Sequence, residues 1–106
     1  MFCASVTYPK DEEGRFDLDY FVQNHVPMFA RLLGDNCSRY EVRVPAEAPG
    51  APRPTYRCTA CFWVTSGEAF GAVLATHGQE IYGDIARFTD LEPVRSWDEV
   101  VAASER

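Results

Sequence analysis

From position 18 to 33 the apolar residues Leu18, Phe21, Val22, Phe29, Leu32 and Leu33 recur at helical spacing, and His25 fills one slot on the same face. Asp17 is a good N-cap for this helix. Phe16 and Phe21 hold the two positions of a hydrophobic staple, and Gly34 marks the stop. Pro27 disturbs the interior: it has no amide hydrogen and its ring crowds the carbonyl of Gln23, so a kink is expected beside His25. Elsewhere the period falls to two. Phe2, Ala4, Val6 and Tyr8 alternate up to Pro9; Tyr40, Val42 and Val44 alternate with charged neighbours over 39–45; and 56–65 reads as a third strand. The proline-rich stretch 46–54 makes the second and third strands a long-looped hairpin.

Ser66 can cap a second helix that carries Ala69, Phe70, Val73 and Leu74 inward and stops near His77 and Gly78. A further short helix over 79–87 places Ile81, Asp84 and Ile85 on one face with Phe88. A last strand covers 92–97, with Pro93 at its start, and a polar tail covers 98–106. The order βαββαβ predicts a single α+β domain over residues 1–106. Its fold is ferredoxin-like, with both helices on one face of a four-stranded antiparallel sheet. The third strand bears Cys58, Ala60, Phe62 and Val64 on one side and Cys61 and Trp63 on the other. Neither side is adapted to solvent, so sheet-to-sheet pairing into a homodimer is expected, against a monomer with an open sheet.

A chain of 106 residues allows one core. The formal charge is −6, and Lys10 and the arginines are scattered, which disfavours nucleic acid and anionic membranes as partners. No stretch is long and apolar enough for a membrane span, and the first residues read as a strand rather than a signal peptide, so a cytoplasmic location is expected. Cys58 and Cys61 have CxxC spacing, but residues three apart on a strand point to opposite faces. No second CxxC or finger-spaced Cys/His pair accompanies them. No metal is expected, and buried free thiols are.

His25 and His77 are the chain's two histidines. An inward imidazole near its neutral-pH transition suits proton transfer, although a hydrogen-bonded core histidine has the same pattern. Asp84 is placed to bond a histidine and fix its tautomer, or else to cap the following turn or meet solvent. Tyr8, Tyr20, Trp63 and Phe88 are candidate walls of a substrate pocket, their residue types being equally those of a core. No Gly-x-Ser-x-Gly elbow and no phosphate-binding glycine loop occur, and no cofactor is expected.

Tyr8-Pro9, the run from Phe16 to Phe21, Asn24-His25-Val26-Pro27, His77-Gly78, Asp84-Ile85 and the run from Phe88 to Pro93 together resemble the EthD family. The resemblance covers nearly the whole chain. It implies the dimeric α+β barrel superfamily, in which two ferredoxin-like sheets pair and each subunit's pocket lies between helices and sheet. The superfamily's small members include cofactor-free monooxygenases of aromatic polyketides, cyclases, lactone isomerases, dehydratases and haem-degrading enzymes. His25-Val26-Pro27 matches the family's His-x-Pro motif, and His77 matches a second histidine of its bacterial branch. The haem-degrading relatives place an asparagine on the first strand, where this chain has Ser5 and Thr7, so a haem role is disfavoured.

Two readings of function follow. In the first, the protein is a small cofactor-independent lyase, isomerase or cyclase, with monooxygenase chemistry also open. His25 shuttles a proton on an aromatic or polyketide-like hydrophobic substrate, with His77 as partner acid or orienter and Asp84 behind them. In the second, the same pocket holds a metabolite without converting it, as an accessory to an oxygenase system, since the family is associated with ether-degrading monooxygenases.

Overall fold

The computed structural model describes residues 1–104, and the last two residues of the expected tail lie outside them. Four strands, β1 (Phe2–Pro9), β2 (Cys37–Arg43), β3 (Tyr56–Val64) and β4 (Val94–Glu99), form one antiparallel sheet in the order β2-β3-β1-β4. This is the ferredoxin-like α+β arrangement. Register puts Ala4 opposite both Phe62 and Trp97, and Val6 opposite both Ala60 and Arg95. One face of the sheet therefore collects Ala4, Val6, Tyr8, Cys58, Ala60 and Phe62, and the helices cover it.

The first helix is a composite. A short α1 (Leu18–Tyr20) passes into a single π-helical turn (Phe21–His25) and then into α2 (Val26–Leu33). The Asp17 side chain accepts from the Tyr20 amide, as a cap should, and the Phe16 and Phe21 rings lie 5.3 Å apart as a staple. The expected kink takes the form of this wide turn. Pro27 offers no N–H to the carbonyl of Gln23, and the ladder adjusts just before it, with the Val26 amide bonding back to Phe21. An i→i+5 turn takes in one residue more than an α turn, so the buried phase slips. Phe21, His25, Val26, Phe29 and Leu33 face the core, whereas Leu18 and Val22, expected inside, are 38% and 43% exposed.

The second helix also departs from expectation. α3 runs unbroken over Gly67–Gly83, capped by Ser66, and is followed by a 3₁₀ turn (Ile85–Arg87); it neither stops at His77-Gly78 nor restarts at 79. An internal glycine such as Gly78 costs only about 1 kcal/mol relative to alanine, which the packing of buried Ile81 offsets. The strand limits shift by about two residues. β2 begins at Cys37, leaving Val44 outside the strand and 50% exposed, and β4 ends at Glu99, shortening the tail.

The segments flanking the first helix and the 3₁₀ turn are tied together. The Asp17 amide donates to the Phe88 carbonyl (2.7 Å), the Arg15 amide to Asp90 Oδ1 (2.8 Å) and the Thr89 hydroxyl to the Arg15 carbonyl (2.6 Å). Gly14 packs against Leu91 so closely that any side chain there would collide with it. This strap holds His25 and Asp84, from opposite halves of the chain, in one neighbourhood.

On the far side of the sheet, β1 presents Cys3, Ser5 and Thr7, β3 presents Thr59, Cys61 and Trp63, and β2 presents Arg39, Glu41 and Arg43. Glu41 pairs with both Arg39 and Arg43, and the Arg39 guanidinium lies over the Trp63 ring at 4.6 Å. No helix is long and apolar enough to cross a membrane among the described residues.

Candidate functional site

The π turn aims His25 down toward the sheet, where only 7% of the residue remains exposed. Its ring sits against Phe21 (5.8 Å between centroids) and Phe88 (4.7 Å). Asp84, the residue that ends α3, lies across from it: Nδ1 of His25 is 2.8 Å from Oδ2. A carboxylate accepts only, so Nδ1 carries the hydrogen and Nε2 keeps its lone pair. The Tyr20 hydroxyl donates to the other carboxylate oxygen at 2.7 Å, and Arg87 Nε approaches the same oxygen at 3.7 Å. Both oxygens of Asp84 are thus engaged.

Burial lowers the His25 pKa below its ordinary value, and the hydrogen bond and charge of Asp84 oppose this without cancelling it. The imidazole is neutral at pH 7 and can take a proton through Nε2. The Tyr20 phenol is shifted upward because its hydrogen bond to Asp84 favours the protonated form.

His25 forms part of the wall of a cavity of about 250 Å³ between the helices and the sheet. Ala4, Val6 and Ala60 make its floor, where small side chains leave room, and Phe29, Phe70 and Leu74 form its helical roof. Tyr82 and Trp97, about half exposed, and exposed Arg95 stand where it meets solvent. A largely apolar hollow with few convergent polar groups is the usual form of a small-molecule site.

Of the sequence candidates, Tyr8 and His25 line this cavity, and Asp84 stands behind the imidazole. Tyr20 and Phe88 support from outside: Tyr20 through Asp84, and Phe88, fully buried, as the platform under the His25 ring. Trp63 is on the opposite face of the sheet and does not reach the cavity, because its strand position alternates with that of Phe62. His77 is also displaced. Its side chain is 40% exposed beside Glu80 (3.8 Å), and it does not join His25. The uninterrupted α3 rotates it away from the position that a helix break would have given it. Cys58 and Cys61 lie on opposite sides of β3, and no cluster of three potential metal ligands occurs among the described residues.

Arg95 and Trp97 were not apparent as pocket residues from the sequence. Their signal was the two-residue alternation of the last strand, readable only once β4 is known to pair with Ala4 and Val6.

The EthD domain model matches residues 14–92, a segment that holds His25, Asp84 and the strap between them. The chain belongs to the EthD family. Among solved structures, an EthD-like protein from Ralstonia eutropha JMP134 is 39% identical, with a TM-score of 0.86 over 98% of this chain and 95% of that one. A dimeric ferredoxin-like protein from an uncultured marine organism shares the fold at 14% identity, with a TM-score of 0.62 and full coverage of both chains. An EthD family protein from Bacillus halodurans C-125 does so at 11% identity. Its TM-score is 0.54, over 91% of this chain and 98% of that one. No curated protein matches the chain in sequence.

Proposed function

We propose that this EthD-family protein is a cofactor-independent enzyme of the lyase, isomerase or cyclase type, acting on an aromatic or polyketide-like metabolite held beneath the helices. The supporting observation is the pairing of His25 with Asp84 at the wall of an apolar cavity. Asp84 fixes the tautomer and stabilises the imidazolium once a proton arrives; Tyr20 and Phe88 hold the carboxylate and the ring. In this reading Nε2 removes a proton beside a substrate carbonyl and returns it at another atom. The low-polarity surroundings exclude water that would compete for it. His77 is left out of the chemistry.

The test is to incubate the purified protein with candidate aromatic and polyketide-like intermediates and analyse products by mass spectrometry. Conversion is expected, with a loss on the order of 10²–10⁴-fold in His25→Ala and a smaller loss in Asp84→Asn, both folded. A ligand that binds and is recovered unchanged would remove the catalytic reading and leave a binding or accessory protein.

We also propose that the working form is a homodimer joined through the uncovered sheet face. The supporting observation is Trp63, only partly buried on that face, with the Arg39 guanidinium lying over its ring. Aromatic and arginine side chains are favoured as interface anchors.

A further inference from the structure

The Arg95 guanidinium makes no hydrogen bond or ion pair among the described residues. Its guanidinium lies over the Tyr82 ring at 5.7 Å from the centroid, and its side chain contributes to the wall of the cavity that also contains His25. An arginine offers five N–H donors in a fixed fork, and a protein with a formal charge of −6 has ample carboxylates with which to occupy them. Glu92, three residues before it, makes no such pair.

Tyr8 is the second polar group on this wall. Arg95 stands opposite Val6 in the β1–β4 register, and Tyr8 is the next residue of β1 on the same face. The Tyr8 hydroxyl has no hydrogen-bond partner among the described residues, and Tyr8 is one of the residues that line the hollow. Burial pushes the phenol up to about 12, with the nearby charge of Arg95 pulling the other way, so it remains a donor at any physiological pH. Two unspent donor groups on one wall, with apolar side chains around them, define what the wall accepts.

We infer that the cavity selects ligands with a flat apolar body and one anionic oxygen group, a carboxylate or an enolate, received by the Arg95 guanidinium and the Tyr8 hydroxyl. The inference rests on reading the cavity as a small-molecule site. It adds what kind of molecule enters and which groups of the wall, Arg95 and Tyr8, receive its charged end. An enolate formed by proton removal at His25 would find the same donors.

The experiment compares two probes of nearly equal shape, 2-naphthoate and the neutral 2-naphthalenemethanol, by titration calorimetry. The Trp97 indole N–H shift reports occupancy of the cavity. The unsubstituted protein is expected to bind the carboxylate about tenfold or more tightly than the alcohol. Arg95→Met should abolish that preference by weakening the carboxylate far more than the alcohol, Arg95→Lys should keep part of it, and Tyr8→Phe should reduce it. Arg95 is exposed and Tyr8→Phe keeps the buried ring, so these variants are expected to fold, with circular dichroism as the check. Equal binding of the two probes, or a preference that survives Arg95→Met, would overturn the role of Arg95 while leaving the cavity as a ligand site. Failure of both probes to bind would remove the small-molecule reading itself.

Discussion

At the scale of the residue, the site turns on one imidazole that folding makes a weaker base than it is in water. The sign of the pH effect follows from that shift. Because the His25 pKa is lowered on folding, the unfolded chain binds the proton more readily, so stability is present above the ordinary value of 6.5 and is lost as pH falls below it. Thermal midpoints are expected to drop on acidification from pH 7 toward 5.5, and less steeply in His25→Gln, which has no titrating ring. A slope unchanged by that substitution would mean that burial does not govern this histidine. The residue types at the site were legible in the sequence: His25 announced itself as a polar residue on an apolar stripe, and Asp84 by sharing a face with Ile81 and Ile85. What could not be read was that Tyr20 and Asp84, 64 positions apart, would bond to each other. That contact depends on packing between elements.

At the scale of the element, the first helix shows how a proline works with a histidine. The wide turn before Pro27 shifts the buried face by about a residue, so that Val26 joins Phe21 and His25 at the cavity wall. Proline was visible as a disturbance, but no periodicity argument distinguishes a bend from an inserted residue, so Leu18 and Val22 were assigned inward and proved exposed. The same blindness affected His77. A glycine in a helix is a weak break signal, and α3 continued through it. Restoring the missing amide in Pro27→Ala is expected to let the turn relax toward regular α-helix and rotate the imidazole away from Asp84. The measurable results are loss of the downfield Nδ1 proton resonance and about a 10²-fold fall in turnover, with little change in circular dichroism. Retention of the resonance would show that tertiary packing alone fixes the turn.

At the scale of the whole molecule, the fold was the most legible feature, because alternation in four segments and two capped helices leave few topologies open. The face away from the helices is where the proposed dimer would form. Stable interfaces remove about 1,200–2,000 Å² from water, and a tryptophan anchor buried in one is commonly worth 2 kcal/mol or more. Sedimentation equilibrium should therefore show a dimer for the unsubstituted protein. In Trp63→Ala its dissociation constant should rise about thirtyfold or more, without loss of fold. A monomer at all concentrations would remove the proposal.

The strap joining Arg15 and Asp17 to Phe88, Thr89 and Asp90 has a kinetic implication. It joins residues 75 positions apart, so the His25–Asp84 pair should form only once that long loop has closed. A partial opening that frees these few backbone bonds would separate imidazole from carboxylate while leaving the sheet intact. A molecule bound between the helices and the sheet would hold that seam shut, so occupancy and the integrity of the couple should rise together.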